Sequence, residues 1–307
     1  MSRIADVGWR TTGRFLKIAP VPDVPVAKPL ELPGRGSTVY VDTGLPPTAD
    51  SATRPTLILL HALATTGLLC WYPSMEALSQ RYRVVVFDQR WHGRGIRSSQ
   101  FRLDDCADDV AAVADALGID TFVPVGYSMG SLVAQLVWHR HPSRVDGAVL
   151  GASTMYFHPQ RGEVRALRSA ADGIYRRAAR RIGPLPDEPA ITTADGGRGW
   201  AFGQFRSTSN AEIAGAAAAL SSFDSSSWIG TMTVPTSVVI PAKDRAIPAA
   251  RQRQLARALP NSTTYEFEGG HASVVLNAEA FRPALLAACA SVATRLASAS
   301  RSQRGQH

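Results

Sequence analysis

Lysine is nearly missing from this 307-residue chain. Of 33 basic residues only Lys17, Lys28 and Lys243 are lysines, leaving 33 − 3 = 30 arginines. With abundant Ala and Gly, that bias is what a GC-rich genome produces, so the net charge of +8 does not by itself call for an anionic partner. The charge allows a weak contact with anionic lipid or acidic ligands. No nucleic-acid-binding motif accompanies it, and nucleic acid is not expected as a partner. Cysteine is scarce too. Cys70, Cys106 and Cys289 are widely spaced and odd in number, which makes no metal or redox motif and fits buried small side chains in a reducing compartment. Long apolar runs are lacking: Leu57 to Leu60 and Val84 to Phe87 are strand-length, far short of a bilayer span. Met1 to Pro20 carries Arg3, Arg10, Arg14 and Lys17 but no apolar h-region, so a cytoplasmic protein without a secretory signal is expected.

What is present is a soluble globular composition, 45% apolar and 19% charged. The length suits one large domain carrying an insertion. Residues 1–36, rich in Pro and Gly, read as an extended lead-in. Thr38 to Thr43 reads as a short first strand. Apolar runs at Thr56 to Leu60, Arg83 to Phe87 and Pro235 to Ile240 read as strands buried on both faces, and Thr121 to Val125, Val145 to Leu150 and Thr263 to Phe267 as further strands. Helical patterns at Met75 to Ser79, Asp104 to Leu117, Met129 to His139, Ala249 to Leu259 and Phe281 to Ala297 alternate with them. The alternation predicts an α/β fold, a mostly parallel doubly wound sheet. Residues 37–151 and 233–298 would form its core, and 299–307 a frayed tail.

The rhythm breaks between 152 and 232, which reads as a helical cap inserted after the sixth strand. There Val164, Leu167, Ala171, Ile174, Ala178 and Ile182 alternate with Arg161, Arg165, Arg168, Arg176 and Arg180 at helical spacing. That is an amphipathic helix with a solvated Arg face, or less readily a lipid-docking one. Gly183 to Gly203, with several Pro and Gly, reads as a loop that could form part of a lid. Among Met155, Tyr156, Phe157, Trp200, Phe202, Phe205 and Phe223, most are expected to fill the cap core, the rest to line a pocket.

The chemistry centres on Gly126-Tyr127-Ser128-Met129-Gly130, set between a strand and a helix. A Ser in Gly-x-Ser-x-Gly at that junction sits on a tight strained turn that exposes its Oγ, and the flanking glycines remove clashing β-carbons. A hydroxyl is a poor nucleophile near neutral pH and needs a base, and the base needs an orienting group. In chain order an acid and then a His should follow, each in a loop after a strand. Asp244, just past the strand ending at Ile240, and His271, just past the one ending at Phe267, occupy those places. The other histidines do not. His92, His139, His141 and His158 lie outside the last strand loop, His139 and His141 suit a helix C-terminus, and His307 is on the tail. Glu266 and Glu268 are too near His271 for a separate loop to place them, and Asp146 starts a strand at the wrong edge of the sheet.

From about Thr38 to Ala297 the sequence resembles the α/β-hydrolase superfamily with a helical cap. The resemblance rests on His61-Ala62-Leu63 with Trp71 beyond it, on Phe87-Asp88-Gln89-Arg90-Trp91-His92-Gly93-Arg94-Gly95, on the Ser128 turn, and on the Asp244 and His271 loops. It implies an oxyanion hole made by the backbone N–H groups of Leu63 and Met129, with His61 organising the loop. Two positions depart from the family pattern: Ala62 and Trp91 stand where Gly is usual, and Ala62 limits backbone freedom beside the hole. The expectation is a serine hydrolase of esterase or lipase type, acting on a small apolar ester with no metal or organic cofactor. C–C hydrolysis, thioester cleavage, perhydrolysis and acyl transfer can use the same residues, and a non-catalytic ligand-binding protein is the reading from another class.

Overall fold

A computed structural model describes residues 24–46, 54–157 and 198–304. An eight-stranded sheet runs through it in the order β1-β2-β4-β3-β5-β6-β7-β8. Its strands are β1 (Lys28–Leu32), β2 (Gly36–Asp42), β3 (Leu57–Leu60), β4 (Val84–Phe87), β5 (Val123–Tyr127), β6 (Ala148–Gly151), β7 (Thr236–Pro241) and β8 (Ser262–Phe267). β1 pairs antiparallel with β2 and β2 antiparallel with β4, while every pairing from β4 to β8 is parallel. β1 falls inside the stretch read as an extended lead-in. It is extended, but it is also a paired edge strand.

β3 and β4 are buried at every position, as their unbroken apolar runs require. Alternate side chains feed two separate cores. Leu57, Leu59, Val84 and Val86 pack on one face, and Ile58, Leu60, Val85 and Phe87 on the other. Helices α1 (Gly67–Ser79), the short α7 (Ser273–Leu276) and α8 (Ala278–Arg304) cover the first face; α2 (Leu103–Ala116) and α3 (Met129–Arg140) cover the second. α1 begins well before the Met75 start expected from sequence. Thr66 caps it, its Oγ1 accepting from Leu69 N–H, and Pro73 lies inside it. α8 runs on through Arg304, beyond the Ala297 end expected. Cys70, Cys106 and Cys289 are all free and buried, and burial pushes the Cys70 and Cys289 thiols up to about 12.

The insertion leaves the sheet after β6. Its Arg-striped stretch and residues 183–197 of its Pro/Gly-rich stretch lie outside the described residues. The remainder of that second stretch is helical: α4 (Arg198–Arg206) includes Trp200, Phe202 and Gly203, where a loop was expected. α5 (Asn210–Leu220) follows, started by a capping box between Ser209 and Glu212. The two ends of the insertion are joined to each other. Phe157 N–H donates to Phe223 O at 3.2 Å, and Ser225 N–H to Met155 O at 2.7 Å. Met155, Phe157, Trp200 and Phe223 are buried, whereas Tyr156, Phe202 and Phe205 are half-buried. Among the described residues, no helix is long and apolar enough to cross a membrane.

Candidate active site

β5 ends at Tyr127 and α3 begins at Met129, so Ser128 alone carries the reversal. Its φ of 54° and ψ of −117° lie where a β-carbon is crowded, a strain worth on the order of 1–3 kcal/mol. The neighbouring glycines explain how the turn closes. A β-carbon on Gly126 would collide with the Gly130 carbonyl, and one on Gly130 with the Leu60 carbonyl of β3. Ser128 N–H donates to Gly151 O on β6 at 2.9 Å, which ties the turn to the sheet.

Ser128 Oγ lies 2.8 Å from His271 Nε2, and His271 Nδ1 lies 2.8 Å from Asp244 Oδ2. Since a carboxylate only accepts, Nδ1 carries the ring proton and Nε2 is left free to accept from the Ser hydroxyl. The loops holding Asp244 and His271 are joined through their backbones. Ala242 N–H donates to Phe267 O at 2.9 Å and Lys243 N–H to Gly269 O at 2.8 Å. Tyr127 Oη reaches across to donate to the His271 carbonyl at 2.9 Å. Sequence order thus brings Ser128, Asp244 and His271 into one hydrogen-bonded line.

The Asp244 carboxylate is fully buried. A buried charge is costly unless hydrogen-bonded. Here Oδ1 accepts from the N–H groups of Ala246 and Ile247 at 2.8 and 2.9 Å, and Oδ2 from Gln252 Nε2 at 3.1 Å. Gln252 and Tyr127 escaped the reading of the sequence as site residues. For Gln252 the signal was slight: a Gln three and four residues before Leu255 and Ala256, on the buried face of the helix Ala249–Ala258, α6.

The loop after β3 is a knot around the Ala62 carbonyl, which accepts from His61 Nδ1, Thr65 Oγ1 and Thr65 N–H. None of these bonds uses the Leu63 N–H. Gln89 clasps His61 from the other side, its N–H donating to His61 Nε2 at 2.9 Å and its amide to His61 O at 2.8 Å. Those partners make His61 a neutral, loop-organising residue, as the resemblance implied. Burial holds it well below the usual imidazole range, with His92 adding to the effect. Ala62 itself avoids the left-handed region that a Gly there would permit; the positive φ, 61°, falls on Ala64. Trp91, in contrast, does occupy the conformation usually left to Gly, at φ 64°. Met129 is the first residue of α3, so its N–H has no acceptor within the helix.

Of the other candidates, His158 and His307 lie outside the described residues, and the rest have separate partners. His141 Nε2 lies 2.9 Å from Asp108, His139 stacks on Trp228, and Glu266 pairs with Arg253 at 2.7 Å. Among the described residues no group of three or more His, Cys, Asp or Glu is placed to hold a metal ion.

The model of the alpha/beta hydrolase fold matches residues 55–193. The chain is 30% identical over 258 residues to a protein of Caulobacter sp. (strain K31) named "Putative carbamate hydrolase RutD", covering 76% of this chain and 90% of that one. It belongs to the α/β-hydrolase family. Another relative of this hydrolase is the pimeloyl-(acyl-carrier protein) methyl ester esterase of Chromobacterium violaceum, 28% identical over 75% of this chain and 92% of its own. In fold the hydrolase is similar to the enol-lactonase of Burkholderia xenovorans LB400, with a TM-score of 0.67 at 23% identity over 84% of this chain and 98% of that one.

Proposed function

We propose that this α/β-hydrolase cleaves carboxylic esters, with Ser128 as nucleophile, His271 as general base and acid, and Asp244 as the group orienting the imidazole. The observation that carries the reading is the Ser128–His271–Asp244 line, 2.8 Å at each step, mounted on a strained turn. Ser128 Oγ attacks the acyl carbon while His271 Nε2 takes its proton. The N–H groups of Leu63 and Met129 receive the developing oxyanion, a term worth about 3 kcal/mol per donor in the best-studied case. His271 returns the proton to the departing alkoxide, which leaves as an alcohol. Water, deprotonated by His271, then attacks the acyl-enzyme and regenerates the Ser hydroxyl.

Short- and medium-chain p-nitrophenyl esters, with a fluorophosphonate that labels activated serine, provide the test. The expected result is turnover together with one label per chain, lost in Ser128→Ala. Absence of both turnover and labelling in the wild type would sink the reading.

A second reading, carbamate cleavage, is favoured by the name given to the Caulobacter relative. The same attack applies to a carbamate carbonyl, which loses its alkoxy or aryloxy group and leaves a carbamoyl-enzyme for water to hydrolyse. Comparing kcat/KM for an ester and a carbamate that share one aryl reporter separates the two.

A further inference from the structure

α6 is an amphipathic helix whose buried positions are Gln252, Leu255 and Ala256. Leucine or methionine would fill the first of these without burying a polar group. A buried amide costs free energy for each unmatched atom, and this one has such an atom, because Gln252 Oε1 meets no partner. Its nitrogen is fully used: Nε2 donates to Asp244 Oδ2 at 3.1 Å and to Ile247 O at 2.8 Å. The amide cannot be turned over, since Oε1 would then face two acceptors. One side chain therefore bridges the carboxylate and the backbone of the loop that holds it. It also shares Oδ2 with His271 Nδ1.

We propose that Gln252 is a positioning residue that sets the orientation and hydrogen-bonding strength of Asp244 toward His271. The inference rests on the triad reading given above. Oδ1 is fixed by Ala246 and Ile247 through the backbone, so only Oδ2 is open to tuning by a side chain. By donating to Oδ2, Gln252 draws electron density from the oxygen that stabilises the imidazolium. Without that donor, the oxygen holds the protonated imidazole more tightly and proton return to the leaving group becomes harder. A second carboxylate in the same place would strengthen this effect by its charge.

The test compares full-length wild type, Gln252→Met, Gln252→Glu and Leu255→Ala. The last is a packing control on the same helix face that leaves the acid untouched. Thermal unfolding and fluorophosphonate labelling are recorded for each, and kcat/KM is measured against pH with a p-nitrophenyl ester. The expected result is a kcat lowered about tenfold in Gln252→Met with KM within about twofold, an effect confined to the transition state. The acid limb of the kcat/KM profile should move to higher pH by about half a unit in Gln252→Met and further in Gln252→Glu. Leu255→Ala should lower the melting temperature and leave the limb in place. An unmoved limb in both Gln252 variants, or an equal shift in Leu255→Ala, overturns the proposal. Loss of soluble protein in both Gln252 variants while Leu255→Ala folds would also overturn it, in favour of a packing role. Wild type that neither turns over nor labels would instead fail the hydrolase reading, so the two failures are told apart.

Discussion

Tyr127 Oη donates to the main-chain carbonyl of His271 at 2.9 Å, so the residue immediately before Ser128 holds the backbone of the imidazole that faces it. The phenol is completely buried and its ring packs on Phe281 at 5.3 Å between centroids. Burial, with the nearby Asp244, raises its pKa well above that of a free tyrosine, which keeps it a donor. Tyr127→Phe keeps the ring contacts and removes one hydrogen bond, and it leaves the His271 carbonyl without that donor. A stability loss of about 1–2 kcal/mol is expected in denaturant unfolding. kcat should fall about three- to tenfold with KM unchanged, as the imidazole samples poorer geometry. Unchanged kcat would show that the joined Asp244 and His271 loops hold the base unaided.

Parts of this arrangement were legible in the sequence because they depend on local pattern. Buried parallel strands announce themselves as unbroken apolar runs, and β3 and β4 lie within a residue of where Thr56 to Leu60 and Arg83 to Phe87 placed them. The order Ser128, Asp244, His271 could be read because each follows its own strand. What escaped depends on contacts distant in sequence. The first turns of α1 lack a hydrophobic stripe, since Gly67 to Tyr72 are all buried, and Pro73 within it is a residue that helix interiors disfavour. β1 is exposed at Lys28, Pro29 and Glu31, with Leu32 its one fully buried residue, and exists through its pairing with β2. Gln252 looks like any helix glutamine until Asp244 is seen against it.

Ser128 offers a separation of strain from chemistry. Ser128→Ala removes the hydroxyl and keeps a β-carbon at φ 54°, whereas Ser128→Gly removes both. Relief of about 1–3 kcal/mol of strain outweighs the roughly 0.5–1 kcal/mol entropic cost of a new glycine. Ser128→Gly should therefore melt at a higher temperature than Ser128→Ala, with neither variant turning over ester or taking the fluorophosphonate label. Equal melting temperatures would mean that the turn is not strained in solution.

Acid should destabilise the fold through the buried His61 and His92. His92 is held down to about 4 by burial, and His61 is lowered well below its ordinary value for the same reason. With folded-state values below the unfolded value near 6.5, the unfolded chain binds more protons as pH falls. The stability these neutral rings contribute is complete above about pH 6.5 and declines toward pH 4, by up to about 3 kcal/mol for His92. Asp88 opposes the trend. Burial raises its carboxyl, so protonating it as pH falls through its folded-state value returns some stability. The melting temperature should drop between pH 7 and pH 4.5, and His92→Phe, placing a ring beside Phe101, should flatten that slope. A slope unchanged in the variant would remove His92 from the explanation.

Trp91 should prove to be the core's grip on α5. It sits at φ 64°, with its Nε1 donating to Ser98 O at 3.0 Å and its ring against Phe101. The far edge of the indole meets Gly215 of α5, where an added β-carbon would lie 2.6 Å from Cζ3. The Ser98 bond and the turn fix the indole, so Gly215→Ala must displace the helix, at about 1–3 kcal/mol. Trp91→Ala loses the contact of a large, partly buried ring, about 2–4 kcal/mol. Because the alanine methyl then points into vacated space, the double variant should be less destabilised than the sum of the single ones by about 1 kcal/mol or more. Denaturant unfolding of the four proteins measures that coupling. Strict additivity would show that α5 is held instead by neighbouring bonds such as Thr208 Oγ1 with Gly93 N–H and Thr66 Oγ1 with Gln204.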